Sequence, residues 1–289
     1  MHSPLRLFTL TLLAMIAFAG NSVLCRIALE QTQIDAASFT SVRLISGALI
    51  LWLLVKIRHA NSEGRGSWLS AFALFIYAAG FSFAYVSLSA ATGALLLFGS
   101  VQASMIGYGI AKGEQISLLQ KVGLGLALVG LAVLFLPGAS APPMFGALLM
   151  ISAGIAWAIY SLRGKNELGD PTCITAGNFI RTIPMTLIMG IVLAVTYSLE
   201  KFTADRLGII YAIASGSLAS GLGYALWYAV LPQLKAMTAA SVQLSVPVIT
   251  AMGGAFILYE PITLRVALAS AAILGGIAVV IRASPSVEE

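Results

Sequence analysis

The 289-residue chain has little charge: 16 Lys and Arg with 11 Asp and Glu make up 9% of it, against 59% hydrophobic residues. A soluble domain carries roughly 25% charged residues, and it needs a wetted surface whatever the size of its core. The shortage excludes a soluble enzyme, a nucleic-acid-binding protein, a disordered chain and a secreted disulfide scaffold. Lipid must solvate much of this protein. Histidine is nearly absent, and His2 and His59 lie outside the apolar runs, so no buried histidine base or metal cluster is expected. Cys25 and Cys173 have no metal-ligand spacing and no disulfide framework. No zincin helix, nucleophile elbow or phosphate-loop lysine string occurs, and Asp35, Asp170 and Asp205 fall between apolar runs. No catalytic residue, metal or cofactor is therefore expected. The formal charge of +5 sits in the connections and reads as an orientation signal, with no nucleic-acid partner.

What is present is a series of apolar spans. A bilayer-crossing helix needs about 20 apolar residues, and ten segments qualify: 7–27, 36–55, 67–88, 91–111, 117–136, 144–162, 174–198, 207–230, 236–258 and 262–281. Residues 66–111 carry no charge. As one helix they would run about 69 Å, twice a bilayer, so the chain must turn near Ser89–Ala91. Pro137, Gly138, Pro142 and Pro143 break the next long uncharged stretch. With the N-terminus inside, eleven cations fall on the cytoplasmic side (Arg6, Lys56, Arg58, Arg65, Lys112, Lys121, Arg163, Lys165, Arg181, Lys235, Arg282). Five fall opposite (Arg26, Arg43, Lys201, Arg206, Arg265). Lys and Arg concentrate in cytoplasmic loops, so both termini are expected there, with the chain multi-pass in the inner (cytoplasmic) membrane.

The halves resemble each other. At an offset of 146, residues 92–133 and 238–279 share ten of 42 positions, among them Thr92/Thr238, Gly107/Gly253, Glu114/Glu260 and Gly130/Gly276. At 137, Phe8, Leu12, Ala19 and Arg26 fall on Phe145, Leu149, Ala156 and Arg163; at 138, Arg43 falls on Arg181. Two units result, 1–138 and 139–289. Five crossings is an odd number, so the second unit enters the membrane inverted relative to the first. Inverted repeats build two gates around one central site and give alternating access.

Several strings are similar to the EamA branch of the drug/metabolite transporter superfamily. Gly20-Asn21-Ser22-Val23 followed by Arg26 resembles the end of its first helix, and Arg43-Leu44 its second. Gly113-Glu114-Gln115-Ile116-Ser117 and Tyr259-Glu260-Pro261-Ile262-Thr263 resemble its glycine-glutamate turns before helices five and ten. The departures are Phe18-Ala19, where a Trp-Gly pair is common, and Tyr259 in place of glycine. The resemblance spans about residues 7–282 and is nearest in character to the amino-acid exporters, including the aromatic amino-acid exporter. It implies an all-α membrane protein of two inverted five-helix repeats that exports neutral or aromatic amino acids, or related small metabolites. A membrane scaffold or receptor without flux is the alternative.

Polar groups inside lipid are costly unless they face a cavity or a partner, so they mark candidates. The expected substrate wall comprises Asn21, Tyr77, Phe81, Tyr85, Ser100, Ser104, Trp157, Tyr160, Tyr224, Trp227 and Thr250. Tyr77, Phe81 and Tyr85 repeat every four residues and share a helix face. Each residue has a structural alternative: hydroxyls bond back to their own helix, tyrosine stripes pack, and Asn21 serves helix contact. Arg43 and Arg181 lie about 10 Å into their helices and are expected to snorkel, with a hold on a substrate carboxylate or a gate as the alternative for Arg43. Glu114 and Glu260 are expected to cap helices five and ten, and Pro247 to disturb helix nine in mid-span. Glycines place the tight scaffold in spans four, five, nine and ten, leaving one, three, six and eight as cavity wall. The expected partners are a small-molecule substrate and the lipid bilayer, with a homodimer left open.

Overall fold

The computed structural model describes residues 4–57, 64–113, 117–136, 141–197, 202–234 and 242–283. Within them the chain forms ten helices: α1 Pro4–Gln31, α2 Ala36–Ile57, α3 Trp68–Tyr85, α4 Ala90–Ala111, α5 Leu118–Phe135, α6 Met144–Asn166, α7 Pro171–Tyr197, α8 Arg206–Val230, α9 Ser245–Ile257 and α10 Leu264–Arg282. There is no strand among the described residues. Nine of these helices are long and apolar enough to cross a membrane, and α9 is an apolar helix of 13 residues. The beginning of the expected ninth span, 236–241, lies outside the described residues. The chain turns between Tyr85 and Ala90, where the uncharged stretch required it.

The helix starts follow local chemistry. Ser67, Ser89, Ser117, Asp205 and Thr263 each accept a hydrogen bond from the backbone N–H three residues on, satisfying a donor with no partner inside the helix. Ser117 and Gln120 close a reciprocal capping box. Caps of α5 and α10 are therefore hydroxyls, not the expected glutamates: Glu260 is used elsewhere, and Glu114 lies outside the described residues. Pro247 is the third residue of α9. Helical backbone at 242–243 is interrupted at Leu244, because a proline ring clashes with the carbonyl four residues back and offers no N–H.

Helix pairing comes in matched sets. α3 packs on α6 as α8 packs on α1, and α4 packs on α6 as α9 packs on α1, while the α2–α7 and α5–α10 pairs each map onto themselves. Advancing each helix by five places converts one contact into its mate. The α5–α10 crossing carries the same relation to the residue. A Cβ on Gly130 would meet the Ala269 carbonyl at 3.0 Å, and one on Gly276 would collide with the Gly123 carbonyl; both pairs obey the 146-residue offset. Small residues let membrane helices approach this closely. The tight contacts are not confined to the expected scaffold, since α3 and α6 also pack extensively. Large apolar side chains such as Leu118, Phe145, Val195 and Phe256 stay exposed on the outside, as lipid-facing positions do.

The crossing yields a direct contrast. Gly276→Val should cost about 1–3 kcal/mol through overpacking against backbone and lower the melting temperature in detergent. Gly275→Ala, with open space around its Cβ position, should leave it unchanged. Equal behaviour of the two variants would refute the close crossing.

Candidate functional site

Midway along the helices, α1, α3, α4, α6 and α8 enclose a small cavity of about 20 Å³, with Phe18, Asn21, Ser22, Tyr77, Phe81, Leu97, Phe98, Trp157 and Tyr224 as its wall. That volume holds about one water. Aromatic rings form most of the lining and touch one another: Trp157 lies 4.8 Å from Tyr77 and 4.9 Å from Tyr224 between ring centroids, and Phe18 meets Tyr224 edge-on at 5.8 Å. Such pairs prefer tilted or edge-to-face geometry, so the wall is rigid.

One side of the wall is polar. The Ser215 hydroxyl donates to Asn21 Oδ1 at 2.6 Å, and Asn21 Nδ2 donates to the Tyr77 hydroxyl at 3.4 Å. Arg43 Nη2 donates to the same Tyr77 oxygen at 3.2 Å, and Arg43 Nε donates to Ser220 Oγ at 3.2 Å. The guanidinium carbon also lies 5.3 Å from the Tyr77 ring centroid and 4.8 Å from that of Phe81. Arg43 is 1% exposed. Contrary to the snorkelling expected from the sequence, it turns inward, because two hydroxyls and two ring faces offer it a better environment than lipid.

The backbone of α8 makes this possible. Ser215–Leu222 runs as a π-helical segment, a form that recurs at functional positions. Its Gly216 lies against the Arg43 carbonyl so closely that any Cβ would collide. The contact brings α8 onto α2 and sets Ser215 and Ser220 within reach of Asn21 and Arg43.

With this geometry in view, the relatives are informative. The profile of the EamA-like transporter family matches residues 6–136 and again residues 144–282. The chain belongs to the EamA-like transporter family. An uncharacterized protein of Pseudomonas aeruginosa is 52% identical over 277 residues, covering 96% of this chain and 94% of that protein. Uncharacterized transporters of Archaeoglobus fulgidus (28% identical; 86% of this chain, 88% of that one) and Bacillus subtilis (22%; 83% and 85%) are also similar. A solved crystal structure at 17% identity superposes with a TM-score of 0.64 over 94% of this chain and 98% of that one, a likeness of fold. As a member of this family, the chain is a multi-pass membrane transporter.

Polar clusters tie the helices of this transporter together at both ends of α3. At the end of α3 near Tyr85, Arg26 Nε pairs with Glu260 Oε1 at 2.8 Å, while Arg26 Nη1 donates to the Tyr85 carbonyl at 3.0 Å. Glu260 Oε2 accepts from the Ala90 N–H at 2.7 Å, so it caps α4 in place of its own α10. The turn before it holds Tyr259 at φ +55°, a left-handed conformation that costs a non-glycine residue about 1–2 kcal/mol. Gly113, its mate at the 146-residue offset, has φ +94°. At the other end of α3, Arg163 Nε donates to Ser70 Oγ at 3.1 Å, Ser70 Oγ donates to Glu167 at 2.8 Å, and the Ser67 N–H donates to Asn178 at 2.8 Å.

The sequence-derived candidates divide accordingly. Asn21, Tyr77, Phe81, Trp157 and Tyr224 line the cavity. Tyr85, Tyr160 and Trp227 belong to the same ring network but pack behind it: Tyr85 on Phe81 at 4.8 Å, Tyr160 on Trp157 at 5.6 Å, Trp227 on Phe18 at 6.0 Å. Ser100 and Ser104 stand apart, on an apolar lateral hollow of about 200 Å³ between α4, α5, α6 and α10. The Ser100 hydroxyl bonds back to the Leu96 carbonyl. Thr250 is buried in α9 away from the cavity wall, its hydroxyl without a partner. Missing from the candidates were Phe18, Leu97 and Phe98, which carry no polar signal, and Ser22, Ser215 and Ser220; Arg43 had been raised only as the alternative to snorkelling. An unpaired cation eight residues into α2 was the signal for the last. The wall forms from α1, α3, α6 and α8 as expected, with α4 added.

Because Arg26 and Glu260 are 13% and 11% exposed at the side chain, breaking the pair should cost about 3 kcal/mol. The double variant Arg26→Ala/Glu260→Ala should lose less than the two single losses summed, read as melting temperatures in one detergent; strict additivity would contradict a coupled closure. Tyr259→Gly should raise stability by about 1 kcal/mol as the left-handed strain is relieved.

Proposed function

We propose that this transporter exports neutral or aromatic amino acids, or related small metabolites, across the cytoplasmic membrane by alternating access. The observation that carries the proposal is the aromatic and amide-lined cavity between the helices, flanked by separate polar clusters at the two ends of α3. A carrier that opens to one side at a time needs a central chamber and two independent closures. The aromatic wall suits an apolar or aromatic side chain. Asn21 supplies the fixed hydrogen-bonding group that orients a small polar ligand.

In this reading residues 1–138 and 139–289 are two inverted five-helix units, both termini are cytoplasmic, and the membrane is the inner one. Support comes from the double family match, the matched helix pairings and the α5–α10 crossing. Rocking one unit against the other would trade the Arg26–Glu260 closure for the Arg163–Ser70–Glu167 closure. The cavity would widen as either side opens, since about 20 Å³ does not admit an amino acid.

Purified protein in liposomes, offered a panel of labelled amino acids, should give saturable, protein-dependent flux for at least one neutral or aromatic member. Trp157→Ala and Tyr224→Ala should each lower that flux about tenfold with membrane insertion intact. Absence of flux for every member would favour a scaffold or receptor; wild-type flux in both variants would remove the aromatic cavity from the mechanism.

A further inference from the structure

The polar side of the cavity contains donors in excess of acceptors. Arg43 Nη1 and the Tyr224 hydroxyl are buried with no hydrogen-bond partner. The Tyr77 oxygen already accepts from Asn21 and Arg43, so its own proton is available to a further acceptor. No acid offsets the guanidinium: both ion pairs among the described residues belong to Arg26, and the nearest acid in sequence, Asp35, caps α2 at the Ala37 and Ser38 N–H groups. A buried cation without a counter-charge is costly in protein and in lipid alike. Two unpartnered donors, the adjacent Tyr77 hydroxyl and one net positive charge form a site that suits an anion with two or more acceptor oxygens.

We propose that the Tyr77 and Tyr224 hydroxyls, with the Arg43 guanidinium behind them as counter-charge, bind the carboxylate of the substrate, so that the transporter selects molecules bearing a free carboxylate and rejects amides and amines of the same shape. The inference rests on the transport reading above and deepens it. The carboxylate supplies the missing counter-charge, and the aromatic wall opposite receives the rest of the molecule. Arg43 sits behind the rings of Tyr77 and Phe81, and its hydrogen bond to the Tyr77 oxygen polarises that hydroxyl toward the cavity face. Serine hydroxyls on the π-segment of α8 hold both ends of this relay, through Ser220 to Arg43 and through Ser215 to Asn21.

The test uses the full chain in liposomes with labelled L-phenylalanine. Unlabelled 3-phenylpropionate should compete for flux, whereas L-phenylalaninamide and phenethylamine should not. Arg43→Gln should raise KM about 10- to 100-fold, the worth of a hydrogen-bonded charge, and erase the discrimination between acid and amide; Arg43→Lys should keep part of both. Tyr224→Phe, which removes one hydroxyl, keeps the proposal testable should Arg43→Gln fail to fold, and should raise KM about tenfold. Competition by amide and amine as strong as by the acid, or variants with wild-type KM and selectivity, would overturn the proposal. Should phenylalanine not be carried, thermal stabilisation by benzoate or pyruvate provides the separate readout. Stabilisation of wild type that is lost in Arg43→Gln upholds carboxylate recognition while removing the amino-acid reading, and no stabilisation by either acid overturns the carboxylate site itself.

Discussion

A guanidinium held in the middle of a lipid-solvated bundle with no acidic partner imposes its requirements on everything around it. Arg43 needs acceptors and polarizable surface in place of water, and the fold supplies Tyr77, Ser220 and the ring faces of Tyr77 and Phe81. Each of these answers a demand made by charge in a medium of low dielectric. The π-segment of α8 exists at the level where it touches α2, and its glycine admits the Arg43 backbone. Asn21 is drawn in through Tyr77, and Ser215 through Asn21. One cation therefore organises parts of α1, α2, α3 and α8 around a single point.

The ends of the bundle obey a different economy. Glu260 satisfies an orphan N–H of α4 and the side chain of α1 at once, so a single carboxylate ties three parts of the chain together. The opposite end distributes the same task over Ser67, Ser70, Arg163, Glu167 and Asn178. Among the described residues the two ends are thus tied by different groups. The central pair differs as well: Arg43 is buried at the core, while its counterpart Arg181 binds the Arg65 and Gly177 carbonyls and lies over Trp68. Departure from symmetry at these positions is where direction and selectivity can enter a repeated architecture.

Apolar run lengths, turn residues and hydroxyl caps act over a few residues, and the helices follow them closely. The aromatic candidates were legible for a related reason: Tyr77, Phe81 and Tyr85 share a face by helical spacing, and Trp157 lies too deep for an interface belt. Ser100, Ser104 and Thr250 lie off the cavity wall; Ser100 bonds back to its own helix, and sequence alone does not show which way a hydroxyl points. Glu260 was correctly seen as a helix cap, but on the wrong helix, since the orphan N–H it serves is 170 residues away.

By itself the sequence determined that this protein lives in lipid, where its apolar helices turn and which residue types have an expensive burial to justify. These are consequences of local composition measured against a bilayer of fixed thickness. The tertiary structure alone decided that Arg43 points inward, through a partner 177 residues distant. It also decided which rings face the cavity and which pack behind it, and which carboxylate shuts which end. Those outcomes depend on helix rotation and crossing, and small residues such as Gly216 and Gly276 set them only when two distant helices meet.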